Sequence, residues 1–254
     1  MPMISIVIPA LNEEEFLEDC IWSIKNQNYS GEYEIIIMDN GSDDRTQEIA
    51  KEHADKLYVE PDMSLPELRN AGIKRAEGEI IASTDADCLM DENWLKEAEK
   101  SLKNGNVLVT GPITSIKNKE LFQVLLYLYN IWLQISMNSL GFSHASAGNC
   151  AFYRKEALEI GGFKHFFPSD GKFGLDMSKK GSLRFNPDML VFASMRRYEK
   201  DPIVNTSWEL VLSHIRLRYG KKKEFHKSYY WREKDKSELT PTEPEEETNT
   251  SPTA

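Results

Sequence analysis

Three short apolar runs constrain this chain most. Residues 4–10 (Ile-Ser-Ile-Val-Ile-Pro-Ala), 33–38 (Tyr-Glu-Ile-Ile-Ile-Met) and 80–84 (Ile-Ile-Ala-Ser-Thr) are rich in β-branched residues and too short for helices. They are apolar almost throughout, the pattern of strands buried on both faces of a parallel sheet. Each breaks off into a polar loop. After the first, Phe16, Leu17, Cys20, Ile21 and Ile24 keep helical spacing; after the second, a helical stretch runs from about 45 to 53. Strand, loop and helix in repeated order imply βαβ units with right-handed crossovers. The expected fold class is α/β, a mostly parallel central sheet flanked by helices. In such a sheet ligands bind beyond the carboxyl ends of the strands.

The third run ends in Asp85-Ala86-Asp87. Two acids one residue apart at a strand end can both reach one cation, and oxygen ligands of this kind suit Mg²⁺ or Mn²⁺. An ion there can in turn hold a diphosphate. The same two acids also suit a solvated turn or a cap for the helix expected from about Glu92. The second run ends in Asp39, either a turn former or a carboxylate that accepts a hydrogen bond from a nucleobase N–H. After the first run, Asn12 is expected to cap a helix whose first turn carries Glu13, Glu14 and Glu15, acids favoured at a positive helix end. Ser64-Leu65-Pro66-Glu67 is a capping box with Pro in the first turn. Arg69 in the helix that follows either reaches a phosphate bidentately or is an exposed helix arginine. A short strand at 56–59, a helix at about 92–102, a strand at 107–110 and one strand over 184–193 complete the expected elements.

Four segments, Ile6-Val7-Ile8-Pro9-Ala10-Leu11-Asn12-Glu13, Met38-Asp39-Asn40-Gly41-Ser42-Asp43-Asp44, Arg69-Asn70-Ala71-Gly72 with Ala76-Glu77-Gly78-Glu79-Ile80, and Thr84-Asp85-Ala86-Asp87, resemble in order and spacing the motifs of glycosyltransferase family 2. The resemblance covers about residues 3–115 strongly and 145–200 more loosely. It implies a GT-A fold, a nucleotide-sugar donor and inverting transfer. On that resemblance Pro9, Ala10 and Glu13 line the nucleoside, largely through backbone. Asp39 contacts the base, Arg69 lies near the diphosphate, and Asp85 and Ala86 belong to the nucleotide-sugar site. Asp85 faces the ribose or the metal, and Asp87 is the principal metal ligand. Residues 147–158 and Gly161-Gly162-Phe163 resemble the segment that precedes the family's Glu-Asp pair. Here Ser169-Asp170 stands in that place, so Asp170 is the expected catalytic base and Asp176 the runner-up. Ser169 and Lys172 depart from the family pattern and bear on how the acceptor is held.

The chain of 254 residues has room for one large domain with appendages. A net charge of −10 argues against general nucleic-acid binding. Three cysteines, odd in number and far apart, suggest free thiols in a reducing compartment, and the N-terminus resembles a strand rather than a signal peptide. A cytoplasmic protein is expected, with contact at the inner membrane face allowed. Residues 121–142 hold no charge and have transmembrane length. Yet Gln123, Tyr127, Asn130, Gln134 and Asn138 recur at helical spacing, and a span would put Asp87 and Asp170 on opposite sides of a membrane. An amphipathic helix at about 120–140 is expected instead, packed on the fold or lying in a membrane interface. Arg196-Arg197 is either a diphosphate clamp or surface charge.

The expected division is a glycosyltransferase domain over 1–200, with a nucleotide-sugar half (1–115) and an acceptor or catalytic half (116–200). Residues 201–236 form a basic, aromatic extension that suits anionic lipid headgroups or a solvated helix. Residues 237–254, rich in Thr, Pro and Glu, form a disordered acidic tail. The function expected is metal-dependent, inverting transfer of a single sugar from a nucleoside-diphosphate sugar, UDP favoured, to a sugar or lipid-linked acceptor. A Q-x-x-R-W motif of processive members is not visible, which favours single-sugar transfer. The rivals are a nucleotidyltransferase, whose Gly-rich basic signature is missing from Pro9–Glu13, and a nucleotide-binding pseudo-enzyme, motivated by Ser169.

Overall fold

The structure is a computed structural model that describes residues 3–116, 120–166, 169–194 and 196. The expected extension at 201–236 and tail at 237–254 lie outside the described residues, as does Arg197. The strands are β1 (Ile4–Ala10), β2 (Tyr33–Asp39), β3 (Lys56–Val59), β4 (Ile80–Thr84), β5 (Cys88–Met90), β6 (Asn106–Thr110), β7 (Ile113–Ser115), β8 (Asn149–Tyr153), β9 (Ser182–Phe185) and β10 (Val191–Ala193). The helices are α1 (Leu17–Lys25), α2 (Thr46–His53), α3 (Leu65–Arg75), α4 (Trp94–Lys103), α5 (Glu120–Leu140), α6 (Arg154–Glu159) and α7 (Ser169–Met177).

The main sheet has the order β3-β2-β1-β4-β8-β6-β9, and β5-β10-β7 form a smaller one. Strands β3, β2, β1 and β4 run parallel, β8 runs antiparallel between β4 and β6, and β9 is parallel to β6. This is the expected α/β architecture. Period-two alternation divides each apolar run between two cores. Ile4, Ile6, Ile8, Ile35 and Ile37 meet Leu17, Ile21, Ile24, Ile49 and Trp94 on one face. Val7, Ile36, Met38 and Ile81 meet Leu68, Ile73, Phe152, Phe163 and Phe173 on the other. Phe173, stacked 4.0 Å from Phe163 and 4.9 Å edge-on to Phe152, ties α7 to the sheet. The capping box at Ser64 is present: Glu67 accepts from the Ser64 N–H at 2.9 Å and from its hydroxyl at 2.6 Å.

Three local expectations are corrected. Helix α1 starts at Leu17, and Asn12 does not cap it. Asn12 adopts φ 55°, a left-handed conformation that Asn tolerates, and its side-chain oxygen accepts the Asp43 N–H at 2.9 Å. It therefore ties the loop after β1 to the loop after β2. The single strand expected over 184–193 is two. Pro187 cannot donate to a ladder, and the Asn186 side chain is drawn to Ser101 Oγ at 3.0 Å and to the Asp188 N–H at 2.9 Å, so the chain turns and β10 joins the smaller sheet. Helix α5 forms where expected, but Tyr127 does not share the packed side with Gln123, Asn130, Gln134 and Asn138: it is 66% exposed, and Leu133 and Met137 are buried there against Phe185. Asn138 exchanges two hydrogen bonds with the Phe185 backbone, each at 3.0 Å, and Asn130 donates to the Ile113 carbonyl at 3.0 Å. Among the described residues no helix is long and apolar enough to cross a membrane.

Glu34 is the buried acid that locks β1, β2 and β3 together. It accepts from Ser5 Oγ at 2.6 Å and from the Glu77 N–H at 2.8 Å, and pairs with Lys56 at 2.7 Å. Burial alone would raise its pKa; the lysine and the two hydrogen bonds more than offset that and hold it below the ordinary carboxylate value. A depressed folded-state pKa contributes stability above the unfolded value and loses it as pH falls through the folded one. Glu34→Gln should therefore destabilise the protein by about 1–3 kcal/mol at neutral pH. The gap to the parent should narrow below about pH 4. Urea unfolding at both pH values checks this.

Candidate active site

Strands β2, β1 and β4 end side by side. Ala10 lies opposite Asp39, and β1 pairs with β4 only as far as Val7 and Ser83, so Asp85-Ala86-Asp87 begins where β4 leaves its neighbour. Pro9, Ala10 and Ala86 are buried in the floor between these ends.

Asp85 meets both halves of the chain. Its Oδ1 accepts from Arg69 Nη2 at 2.5 Å. Arg69 is not an exposed helix arginine: it is only 5% exposed, stands 5.8 Å over the Phe163 ring, and carries a buried Nε without a partner. Burial alone would lower its pKa, but the Asp85 and Asp170 carboxylates outweigh that and hold the guanidinium charged. On the other side of Asp85 lies Gly148, the residue before β8. A Cβ there would stand 2.7 Å from Asp85 Oδ2. Ser83 Oγ donates to the Ala147 carbonyl at 2.7 Å and Thr84 Oγ1 to the Gly148 carbonyl at 3.1 Å, which holds this segment against the acid pair.

Asp87 points to the other rim. It accepts from Ser194 Oγ, and Arg196 Nε lies 3.7 Å from its Oδ2. Arg196 also pairs with Glu13 and lies 4.7 Å over the Phe16 ring. Burial pushes the Glu13 carboxyl up to about 7; Arg196 opposes the rise, and Asp87 and Asp85 add to it. Below this cluster Cys20, Cys88 and Cys150 are buried free thiols, all pushed up by burial and by nearby acids.

Asp39 is fully buried. Its Oδ1 accepts from the Gly41 and Ser42 N–H groups and from Gln47 Nε2, each at 2.9 Å, and Ser42 Oγ donates to Oδ2 at 2.5 Å. In this state the carboxylate is the anchor of its own loop. Asp170 lies in the first turn of α7, half-buried, and its Oδ2 accepts the Ala147 N–H at 3.1 Å. Its anchor is therefore the residue next to Gly148 and the Asp85 contact. Asp176 is elsewhere engaged, bound to Lys179 at 2.7 Å and to Lys172; burial would raise its pKa, but the two lysines hold it low. The unusual Lys172 thus has a partner on its own helix. Ser169 is buried and donates to the Lys164 carbonyl at 3.0 Å.

The acids at 85 and 87 fit a divalent cation by donor chemistry, since carboxylates supply the hard oxygens such an ion takes, and Gly148, without a Cβ, leaves Asp85 Oδ2 uncrowded. Among the described residues no three His, Cys, Asp or Glu side chains are placed to hold a metal ion together. Asn149 has a structural part that sequence reasoning missed. It accepts from Trp94 Nε1 at 2.8 Å and donates to the Pro112 and Met189 carbonyls at 2.8 Å, joining both sheets below the site. Its place in the Ala147-Gly148-Asn149 motif was the available signal; Ser194 had none.

A family model described as Glycosyl transferase family 2 matches residues 5–161. The glycosyltransferase AglE of Haloferax volcanii is 31% identical over 118 residues, covering 44% of this chain and 39% of that protein. An N-acetylglucosaminyltransferase of Azorhizobium caulinodans is 25% identical over 193 residues, 69% of this chain and 49% of the relative. The chain thus spans less than half the length of these two relatives. Among solved structures, the mannosyltransferase PcManGT of Pyrobaculum calidifontis, in complex with GDP-Man and Mn²⁺, superposes with a TM-score of 0.67 at 20% identity, over 88% of this chain and 66% of that one. S. aureus TarS 1–349 in complex with UDP-GlcNAc gives 0.62 at 16% identity, over 87% and 68%. These likenesses show the GT-A fold.

The crowding at Gly148 gives a test of the site's geometry. Gly148→Ala should displace the Asp85 carboxylate and weaken Mn²⁺-supported binding of a nucleoside diphosphate by about tenfold or more, a change of about 1.4 kcal/mol. Its melting temperature should fall as well, because a displaced Asp85 leaves the buried Arg69 guanidinium without its hydrogen-bonded carboxylate. Calorimetric titration and thermal unfolding of the same preparation check both.

Proposed function

The chain belongs to glycosyl transferase family 2, and on that premise we propose inverting transfer of a single sugar from a nucleoside-diphosphate sugar to an acceptor hydroxyl or phosphate, in glycan or glycolipid synthesis. The observation that carries this reading is the contact at Gly148. It sets the Asp170-bearing side of the fold directly against the Asp85-Ala86-Asp87 side, as a reaction that joins donor to acceptor requires.

In this reading the nucleoside lies over Pro9, Ala10 and Glu13. Asp39 accepts the base N–H once Ser42 turns its hydroxyl away from Oδ2, and a uracil imide suits that acceptor. Asp85 and Ala86 border the ribose and diphosphate. A divalent ion, Mg²⁺ or Mn²⁺, held by Asp87 with Asp85 supplies neutralisation of charge on the leaving diphosphate. Arg69 keeps Asp85 oriented from below. Arg196, seated on the Phe16 ring, adds positive charge at the other rim. Asp170, fixed through Oδ2 by the Ala147 N–H, takes the acceptor proton as the acceptor oxygen bonds to the anomeric carbon. The bond from that carbon to the diphosphate breaks on the opposite face, its electron pair leaves with the diphosphate, and the configuration inverts. The nucleotide half is 1–115 and the acceptor half 116–200.

Two variants separate the roles. Asp87→Asn should lose metal-supported donor binding and transfer together. Asp170→Asn should bind the donor as the parent does and transfer about 10²–10⁴-fold more slowly. Donor titration and product formation on both variants give the answer, and full transfer by both would remove the assignment.

A further inference from the structure

Helix α5 turns a mixed polar and apolar side to the fold and a largely apolar side outward. Gln123, Asn130, Gln134 and Asn138 are partly covered, and Leu133, Ser136 and Met137 are buried. On the opposite side Tyr127, Leu128, Ile135 and Leu140 are 66, 55, 54 and 70% exposed, with Val124 and Trp132 beside them. A helix of 21 residues is about 30 Å long, and residues 121–142 carry no charge. A contiguous apolar stripe of this length marks a partner or a membrane.

We infer that this face docks on an anionic lipid surface, and that the acceptor is lipid-linked. The charge pattern of the sequence argues for lipid. The chain is acidic overall, yet Lys117 and Lys119 immediately precede α5 in sequence, and Arg216, Arg218, Lys221, Lys222, Lys223 and Lys227 crowd one short stretch together with Tyr219, Phe225, Tyr229, Tyr230 and Trp231. Basic and aromatic residues together complement anionic headgroups. The stripe itself holds Tyr127 and Trp132, rings that settle at the headgroup level. It is also broad, with neighbouring pairs such as Val124 and Leu125 or Tyr127 and Leu128 exposed together, where a paired helical seam needs only a narrow line. The helix lies flat because its polar side chains are bound to the backbone at Ile113 and Phe185.

Position ties this face to the chemistry. Residues 141–146 alone connect α5 to Ala147, the anchor of Asp170, and the backbone at His144 and Ala145 packs closely on Gly174 of α7. An acceptor headgroup delivered along α5 arrives at Asp170. Docking stands on the exposed face; the acceptor class rests also on the transferase reading above.

The test uses the full chain and its Tyr127→Gln, Leu128→Gln, Ile135→Gln triple variant. Both are sedimented with phosphatidylcholine vesicles, with and without phosphatidylglycerol. The parent should bind the anionic vesicles, and the variant about tenfold or more weakly. The melting temperature and nucleoside-diphosphate binding should be unchanged. Transfer should be faster to a long-chain alkyl phosphate in those vesicles than to a short-chain alkyl phosphate in solution. Equal vesicle binding by parent and variant would overturn docking through α5. A parent that ignores vesicles but is a dimer, dispersed by the substitutions, would make the face an interface between copies. Vesicle binding with equal transfer to both acceptors would overturn the acceptor class. Vesicle binding through α5 without any nucleoside-diphosphate binding would remove the transferase reading and leave docking standing.

Discussion

Glu13, Asp85 and Asp87 gather at the ends of β1 and β4, and charge of one sign brought together under partial burial has to be balanced. Two arginines from distant parts of the chain do this. Arg69 reaches Asp85 from beneath, on α3, and Arg196 reaches Glu13 and Asp87 from beyond β10. The balance is incomplete, since burial and the two aspartates still hold the Glu13 proton up to about 7. A site arranged in this way attracts further positive charge, and the arginines set where it goes. Arg69 is locked between α3, Phe163 and Asp85, whereas Arg196 lies on a ring at the rim and is 39% exposed.

The sheet makes that convergence possible. Parallel β3, β2, β1 and β4 bring their carboxyl ends to one edge. Antiparallel β8 then enters between β4 and β6, so the segment that starts β8 arrives at the same edge from the opposite direction. Asn149 pins that start to both sheets, Gly148 lets it approach Asp85, and Ala147 holds Asp170. Three consecutive residues thereby connect the Asp85 side of the site to the Asp170 side.

The strands and the acids at their ends were legible because they rest on local pattern: β-branched apolar runs have one way to be buried, and a polar break marks where they stop. Features decided by remote partners were not. The left-handed turn at Asn12 is set by Asp43, and the burial of Arg69 by Asp85. The break at Asn186-Pro187 needs the edge of a second sheet to receive β10. The amphipathic pattern of α5 was visible, but pattern alone does not say which side meets the fold. The side that meets the fold carries Leu133 and Met137, which bury against Phe185, flanked by Asn130 and Asn138, which satisfy backbone groups at Ile113 and Phe185. For Asp39 the local signal had two meanings, and the structure displays one of them, a loop anchor with four hydrogen bonds.

On the proposed function Asp85 and Asp87 would hold the cation together with the donor's diphosphate. The most direct measurement is Mn²⁺ binding followed by electron paramagnetic resonance, with and without UDP, on the parent chain. Bound Mn²⁺ should be weak alone and rise steeply when the diphosphate is present, because two arginine-paired carboxylates make a poor site by themselves. Tight Mn²⁺ binding without nucleotide, or nucleotide binding indifferent to Mn²⁺, would contradict the account.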